Sequence, residues 1–327
     1  MTFAVPVPPP FPYFWLKLIL AVVAILSFSM VLLEQRVSNW WQQQTCQAGV
    51  YAAQKPFFYR ERMNTESYRF CGDKISVLYS GLTRTPLWVA EYLSAQAADQ
   101  APTTAIAPQL AKRHTMLLDA EQLEEYRYDA LLALNTANQP LHAVVQVPFQ
   151  STKQAQRWQQ IDESLKQLSQ TYHQDLYVIT GTDYSAAHLT QIAEQLWVPH
   201  GFYKAVYIPE TGVMSGYYVS NQPKKTLRVE YLSICALEEK LQMQLFPQFN
   251  SEQKRDVYQL PLQPSAEFEW QYAYWDSKSS CEPETLAAQA QQPLEGAAFA
   301  QTPWRERVEA TLLSLSLDLL HWLFARL

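Results

Sequence analysis

One run of residues, Val77 to Leu93 (VLYSGLTRTPLWVAEYL), constrains the fold more than any other part of the chain. Val77, Leu78 and Tyr79 suit a pleated, half-buried surface, and Ser80-Gly81 supplies turn chemistry. Pro86 fits the first turn of a helix, whose apolar face would be Leu87, Val89, Ala90 and Leu93. The run therefore predicts a strand, a turn and a short helix.

Most of what surrounds that run is globular in character. The chain has 327 residues, a hydrophobic share of 48% and 10 Trp and 19 Tyr against 8 Gly, which describes an aromatic-rich core with few glycine loops of the phosphate-cradling kind. A net charge of −6 argues against a broad electrostatic grip on nucleic acid, though a local basic groove is compatible with it. Residues 1–13 hold five prolines and no charge and read as an extended tail. Phe14 to Leu33 is apolar with a single charge, Lys17, and is long enough to cross a hydrocarbon core of about 30 Å. It reads as a transmembrane helix. A cleaved signal peptide is the competing reading; against it stand the length of the run, the lack of a small-x-small cleavage site and the lack of a basic n-region.

Lys17 and Arg36 flank the span and leave its orientation almost unvoted, so the cysteines carry the argument. Cys46, Cys71, Cys235 and Cys281 all follow the span and form no CxxC or Cys/His ligand spacing. Paired, they place the bulk of the chain in an oxidising space. Four cysteines allow three connectivities, of which Cys46–Cys71 and Cys235–Cys281 join nearest neighbours; buried free thiols are the alternative. The expected setting is a single-pass protein of a bacterial inner membrane with its main domain in the periplasm.

Along the chain, residues 34–67 form a juxtamembrane segment in which Trp40 and Trp41 lie near the interface. Ala95 to Pro108 reads as an exposed loop, and Leu123 to Leu134 as the start of a helix. His142 to Phe149 reads as a strand ended by Pro148, and Thr152 to Tyr172 as a helix with the stripe Trp158, Ile161, Leu165 and Leu168. Further strands are expected at Leu176 to Thr180, on either side of the turn Pro209 to Gly212, and at Leu227 to Ile234, with a helix at Ala236 to Leu245. The pattern loosens after Phe249, so residues 251–303 read as an extension or linker. Trp304 to Leu327 forms a wide apolar stripe, an amphipathic helix that docks on its own domain, a membrane surface or a partner protein.

With these elements placed, the chain resembles the DNA/RNA non-specific endonuclease family, the sugar-non-specific nucleases with a ββα-metal active site. Leu78 to Leu93 (LYSGLTRTPLWVAEYL), Leu176 to Gly181 (LYVITG) and Val198 to Tyr207 (VPHGFYKAVY) carry the resemblance, with Leu237 to Phe246 matching more weakly. It spans about residues 68–250. It implies an α/β (α+β) fold with a central, mainly antiparallel sheet.

The resemblance also implies a chemistry: a histidine in an Asp-Arg-Gly-His motif as general base, an Asn on the following helix holding one Mg²⁺, and an Arg steadying the phosphorane. This sequence contains no Asp-Arg-Gly-His. Glu125-Tyr126-Arg127 resembles the entry to that motif and Tyr128-Asp129 its Tyr-Asp, but Ala130-Leu131-Leu132 stands where Arg-Gly-His would follow, and the chain between Tyr126 and Pro148 is shorter than the family pattern. Gln154 stands at the metal-binding Asn position, four residues before Trp158, and Asp162 at the acidic position one turn after it. His142 is the first candidate for a relocated base, ahead of His200 and His114. Arg84, Arg127 and Lys204 are candidate phosphate contacts. The expectation is a divergent, catalytically degenerate member acting as a binding or scaffolding module. The alternatives are an active Mg²⁺-dependent nuclease with a rearranged site, or a subunit of a membrane complex docking through Trp304 to Leu327.

Overall fold

Thr85–Leu93 is a strand, where the sequence predicts a helix. The structure, a computed structural model, describes residues 47, 49–65, 67–71, 74–95, 127–130, 145–186, 189–192, 196–222, 228–265 and 267–291. Within them a seven-stranded sheet forms from Ser67–Cys71 (β1), Ile75–Ser80 (β2), Thr85–Leu93 (β3), Leu176–Asp183 (β4), Gly201–Ile208 (β5), Val213–Ser220 (β6) and Val229–Leu232 (β7). Each strand pairs antiparallel with the next, so the spatial order is the chain order and the sheet is a meander interrupted between β3 and β4.

The misread at Thr85–Leu93 has a physical cause. A continuous apolar run bounded by turn signals suits a strand covered on both faces as well as a buried helix, and period alone does not separate the two. Every residue from Thr85 to Glu91 is buried. Pro86, which has no N–H for the ladder, lies opposite Tyr79 beside a register shift between Leu78 and Tyr79, the kind of irregularity where a strand tolerates proline. Residues 127–130 are likewise extended, pairing with Gln146–Phe149 instead of starting a helix. Pro148 lies within that second strand and does not end it. The resulting two-strand ladder runs directly into a 19-residue helix, Thr152–Gln170 (α1), as the Trp158-Ile161-Leu165-Leu168 stripe predicts.

Alternation along the strands sorts their residues onto two faces. Phe202, Val206 and Ile208 of β5, Val213, Tyr217 and Val219 of β6, and Leu176 and Val178 of β4 pack under α1 with Trp158, Ile161, Leu165 and Leu168. Tyr203, Ala205 and Tyr207, with Met214, Tyr218, Ile179, Trp88 and Leu78, form the other face, covered by Ile234–Leu241 (α2) and by Met243, Leu245 and Phe246 after it. All eight residues of β5 are buried as a result. Gly181 is required at the crossing of β3, β4 and β5, because a Cβ there would run into the Tyr203 phenol and the Leu87 carbonyl.

Residues that read as an extension pack into this body. Lys254 is buried against Glu238 of α2, Asp256–Gln259 pairs with Gln271–Trp275, and Pro283–Gln291 (α3) buries Leu286. Composition masked these contacts, since short strands separated by Pro, Gln and Ser give no period. The expected disulfide Cys235–Cys281 is present and ties the first turn of α2 to the approach to α3. Cys71 is disulfide-bonded as well, and its expected partner Cys46 lies outside the described residues. So do the expected transmembrane helix at 14–33 and the amphipathic helix at 304–327. No helix among the described residues is long and apolar enough to cross a membrane.

The Cys235–Cys281 bond closes a sequence separation of 46 residues. Loop-closure entropy over such a span is worth about 4 kcal/mol at 25 °C. Replacing both cysteines by alanine is expected to lower the unfolding free energy in urea by about that amount; an unchanged midpoint would show that the segment is held without the crosslink.

Candidate functional site

Three connections of the meander lie at one end of the sheet: the β2–β3 turn, the β4–β5 connection and the exit from β6. The N-terminus of α1 joins them. Ser151 caps that helix, its Oγ accepting from the Gln154 N–H at 3.2 Å, which the Ser-x-x-Gln spacing favours. Gln154 itself is buried, receives the Ser151 hydroxyl on Oε1 at 3.3 Å, and donates through Nε2 to the Ser220 carbonyl at 3.1 Å.

Asn221, one residue beyond β6, organises the rest. Its Nδ2 donates to the carbonyls of Pro148 and Pro199 at 3.1 and 3.0 Å, and its Oδ1 accepts from the Gln150 N–H at 3.0 Å. Three separate segments are thereby joined by one buried amide. The half-buried His200 lies in the same weave: its N–H donates to the Asp183 carbonyl, its carbonyl accepts from the Asn221 N–H, and Nδ1 lies 3.2 Å from Gln222 Nε2. Asp183 is buried and accepts from the Tyr218 hydroxyl at 2.6 Å and the Ser185 N–H at 2.8 Å. Burial, with the Asp183 carboxylate beside it, pushes the Tyr218 phenol well above its ordinary range, so it remains a donor.

Arg84 lies at the same end, in the β2–β3 turn, with φ of 57°. A non-glycine residue in the left-handed region is uncommon, and here it is fixed by the turn: the Arg84 N–H donates to the Ser80 carbonyl at 2.8 Å, and the Ser80 hydroxyl accepts from the Leu82 and Thr83 N–H groups. Thr83, Thr85 and Tyr184 form a buried hydroxyl chain below it, which reaches the Trp197 carbonyl. The arginine itself is half-buried. Arg127 is in the first strand of the ladder that leads into α1, and His142 lies outside the described residues.

Lys204 and Asp162 are placed elsewhere, and together. Lys204 is fully buried in the middle of β5, with Nζ 2.6 Å from Asp162 Oδ1, 3.1 Å from Thr180 Oγ1 and 4.4 Å from the centre of the Trp158 ring. A lysine so enclosed is a core cation and does not face a phosphate. Desolvation raises the Asp162 carboxyl to about 6 despite the opposing pull of Lys204.

A magnesium ion needs a cluster of accessible oxygens, carboxylates first. Gln154 and Asp162 do not fit that requirement: the amide is committed at both ends, and a cation at Asp162 would lie beside an ammonium already bound to the same oxygen. No group of three His, Cys, Asp or Glu suited to a metal occurs among the described residues.

No protein-family profile and no curated protein matches the chain. Solved structures are similar to part of it. One is a chain in the crystal structure of the EndoG/EndoGI complex, which concerns the mechanism of EndoG inhibition, at 17% identity over 55% of this chain and 85% of that one, with a TM-score of 0.41.

Gln154, Asp162, Lys204 and Arg84 stand out as candidates in the sequence, whereas Asn221, Asp183 and Tyr218 enter only with the structure. Asn221 carries a readable signal, an amide directly after a strand and before Gln-Pro, where side-chain to backbone bonds are frequent. Asp183 carries only the local signal of its bond from the Ser185 N–H, because its other partner, Tyr218, is 35 residues away.

The buried pair gives a pH test. In the unfolded chain Asp162 titrates near 3.8 and in the folded protein near 6, so between these values the native state holds a proton that the unfolded state has lost. Asp162 therefore contributes a stability that is full below about 3.8 and falls as pH rises to about 6, by roughly 3 kcal/mol. Asp162→Asn keeps the shape of the side chain and removes the titrating carboxyl. Its urea stability from pH 4 to 6 is expected to lack this downward slope; an identical slope in both proteins would show that the carboxyl is not the titrating group.

Proposed function

We propose that the chain is a membrane-anchored, extracytoplasmic module built on a ββα-metal nuclease framework that has lost catalysis and acts by binding. The observation that carries this reading is the commitment of Gln154 and Asp162 to Ser151, Ser220 and Lys204. At the two positions where the resemblance expects metal-site groups, both side chains hold the fold together. The absence of Asp-Arg-Gly-His from the sequence supports the same conclusion. The nuclease framework is supported by the three matching runs and by the ladder of 127–130 with Gln146–Phe149 leading into α1.

The extracytoplasmic setting is supported by the Cys235–Cys281 disulfide, since such bonds persist in oxidising compartments, and the anchor by the apolar run Phe14 to Leu33. Arg84, in its fixed turn at the open end of the sheet, is the described basic residue best placed to touch a ligand there.

A supercoiled-plasmid assay of the purified chain with Mg²⁺ tests the reading. No metal-dependent nicking above a buffer control is expected, and His142→Ala is expected to leave that baseline unchanged. Mg²⁺-dependent nicking that His142→Ala lowers by the roughly 10²-fold or more typical of losing a general base would restore the chain to the active enzymes.

A further inference from the structure

Among the described residues, the hairpin of Asp256–Gln259 and Gln271–Trp275 holds three of the four exposed large hydrophobic side chains. All five residues of its outer strand are exposed, with Tyr272 at 55% and Tyr274 and Trp275 at 46% each. Phe268 and Trp270, in edge-to-face contact at 4.6 Å, lead into it, and Tyr258 meets Tyr272 edge-on at 5.6 Å. Only Asp256–Gln259 pairs with this strand, so among the described residues its second edge meets no other strand. An exposed, aromatic strand with an open edge is a template for pairing with another chain.

The charge around it selects the partner. From Asp256 to Trp275 the chain carries three carboxylates, Asp256, Glu267 and Glu269, and no Lys or Arg. The exposed Glu230 of β7 adds a fourth beside Tyr274. Two copies meeting edge to edge would bring these charges together, and an anionic lipid surface or a nucleic acid would be repelled by them. A cationic polypeptide is attracted. The hairpin already holds one guanidinium in this way: Arg255 lies 5.4 Å over the Trp275 ring, with its NH1 donating to the carbonyls of Asp276 and Ser279.

We propose that the open edge of Gln271–Trp275 docks an extended, cationic segment of a partner protein, which adds a strand to the hairpin and lays Arg or Lys side chains against Tyr272, Tyr274 and the neighbouring carboxylates. Backbone pairing supplies affinity and the aromatic-acidic surface supplies specificity. The surface is remote in sequence from Gln154 and His142, so this inference stands or falls independently of the loss of catalysis.

The test uses the full chain in detergent micelles and an eight-residue peptide of alternating Arg and Thr as probe, read by Trp fluorescence. Saturable binding is expected, weakening with salt and absent for the Glu-Thr counterpart. The exposed double variant Tyr272→Ser/Tyr274→Ser and the charge-reversed Glu267→Lys/Glu269→Lys are each expected to weaken it about tenfold or more. Backbone N-methylation of alternate peptide residues is expected to abolish it. Equal binding by both variants, or by the methylated peptide, would overturn the proposal. Three other results would also overturn it by naming a different occupant: self-association lost in the tyrosine variant, capture by phosphatidylglycerol vesicles lost in that variant, or displacement of the probe by a synthetic peptide of residues 304–327.

Discussion

The Lys204 ammonium, enclosed between β5 and α1, sets a condition that the rest of the fold must meet. Taking one charge out of water costs several kcal/mol, and removing either partner of a buried pair leaves that cost uncompensated. Lys204 is therefore tolerable only when Asp162 lies directly above it, and Asp162 does so only if α1 lies across the sheet in one rotation and one register. Trp158, one turn earlier, closes over the ammonium, and the Thr180 hydroxyl on the adjacent strand accepts a hydrogen bond from it. Apolar packing alone permits a helix to slide over a sheet at small cost. The ion pair removes that freedom, and so fixes where the N-terminus of α1, with Ser151 and Gln154, meets the end of the sheet.

The opposite face uses the same device. Glu238 of α2 and Lys254 are both buried, with Nζ 2.9 and 3.0 Å from the two carboxylate oxygens, while Oε1 also accepts from the Leu245 and Phe246 N–H groups. One carboxylate thus closes the chain after α2 and holds the segment that begins the aromatic hairpin. Desolvation raises Glu238, and the ammonium and two backbone donors oppose the rise. Next to it, Ser233 caps α2 and binds Asp276, and Cys235 is joined to Cys281. The hairpin is anchored at its base by charge, hydrogen bond and covalent bond together. A surface that meets another protein needs such a rigid support, because ordering a mobile strand on contact would consume the binding energy.

How much of this was readable from sequence follows the range of the forces involved. The Trp158 stripe of α1, the Pro209–Gly212 turn and the Cys235–Cys281 pairing rest on local spacing and were legible. Thr85–Leu93 was not, because a strand buried on both faces loses the alternation that marks a strand. Lys204 reads as a phosphate contact from its charge, although its spacing along β5 matches that of its buried apolar neighbours, and only Asp162 on another element explains how the charge is accommodated there. The hairpin after Phe249 read as a linker for a related reason: its partner strands are short, and its packing depends on β6 and β7, far back in the chain.

These commitments also determine what a change at the sheet end can do. A change of Gln154 to Asn would restore the residue type that the resemblance expects, yet it would withdraw an amide from the Ser220 carbonyl and leave Asp162 bound to Lys204. The oxygens would remain divided between a capped helix terminus and a core ion pair, with no shared position for a cation. Activity in such a framework depends on groups being held while still unpaired, which costs stability. Here the polar groups at those positions are paired, so the same residues that make the α1 junction specific and stable also leave it without spare ligands. The half-buried Arg84 in its turn and the exposed strand Gln271–Trp275 lie outside these two paired networks.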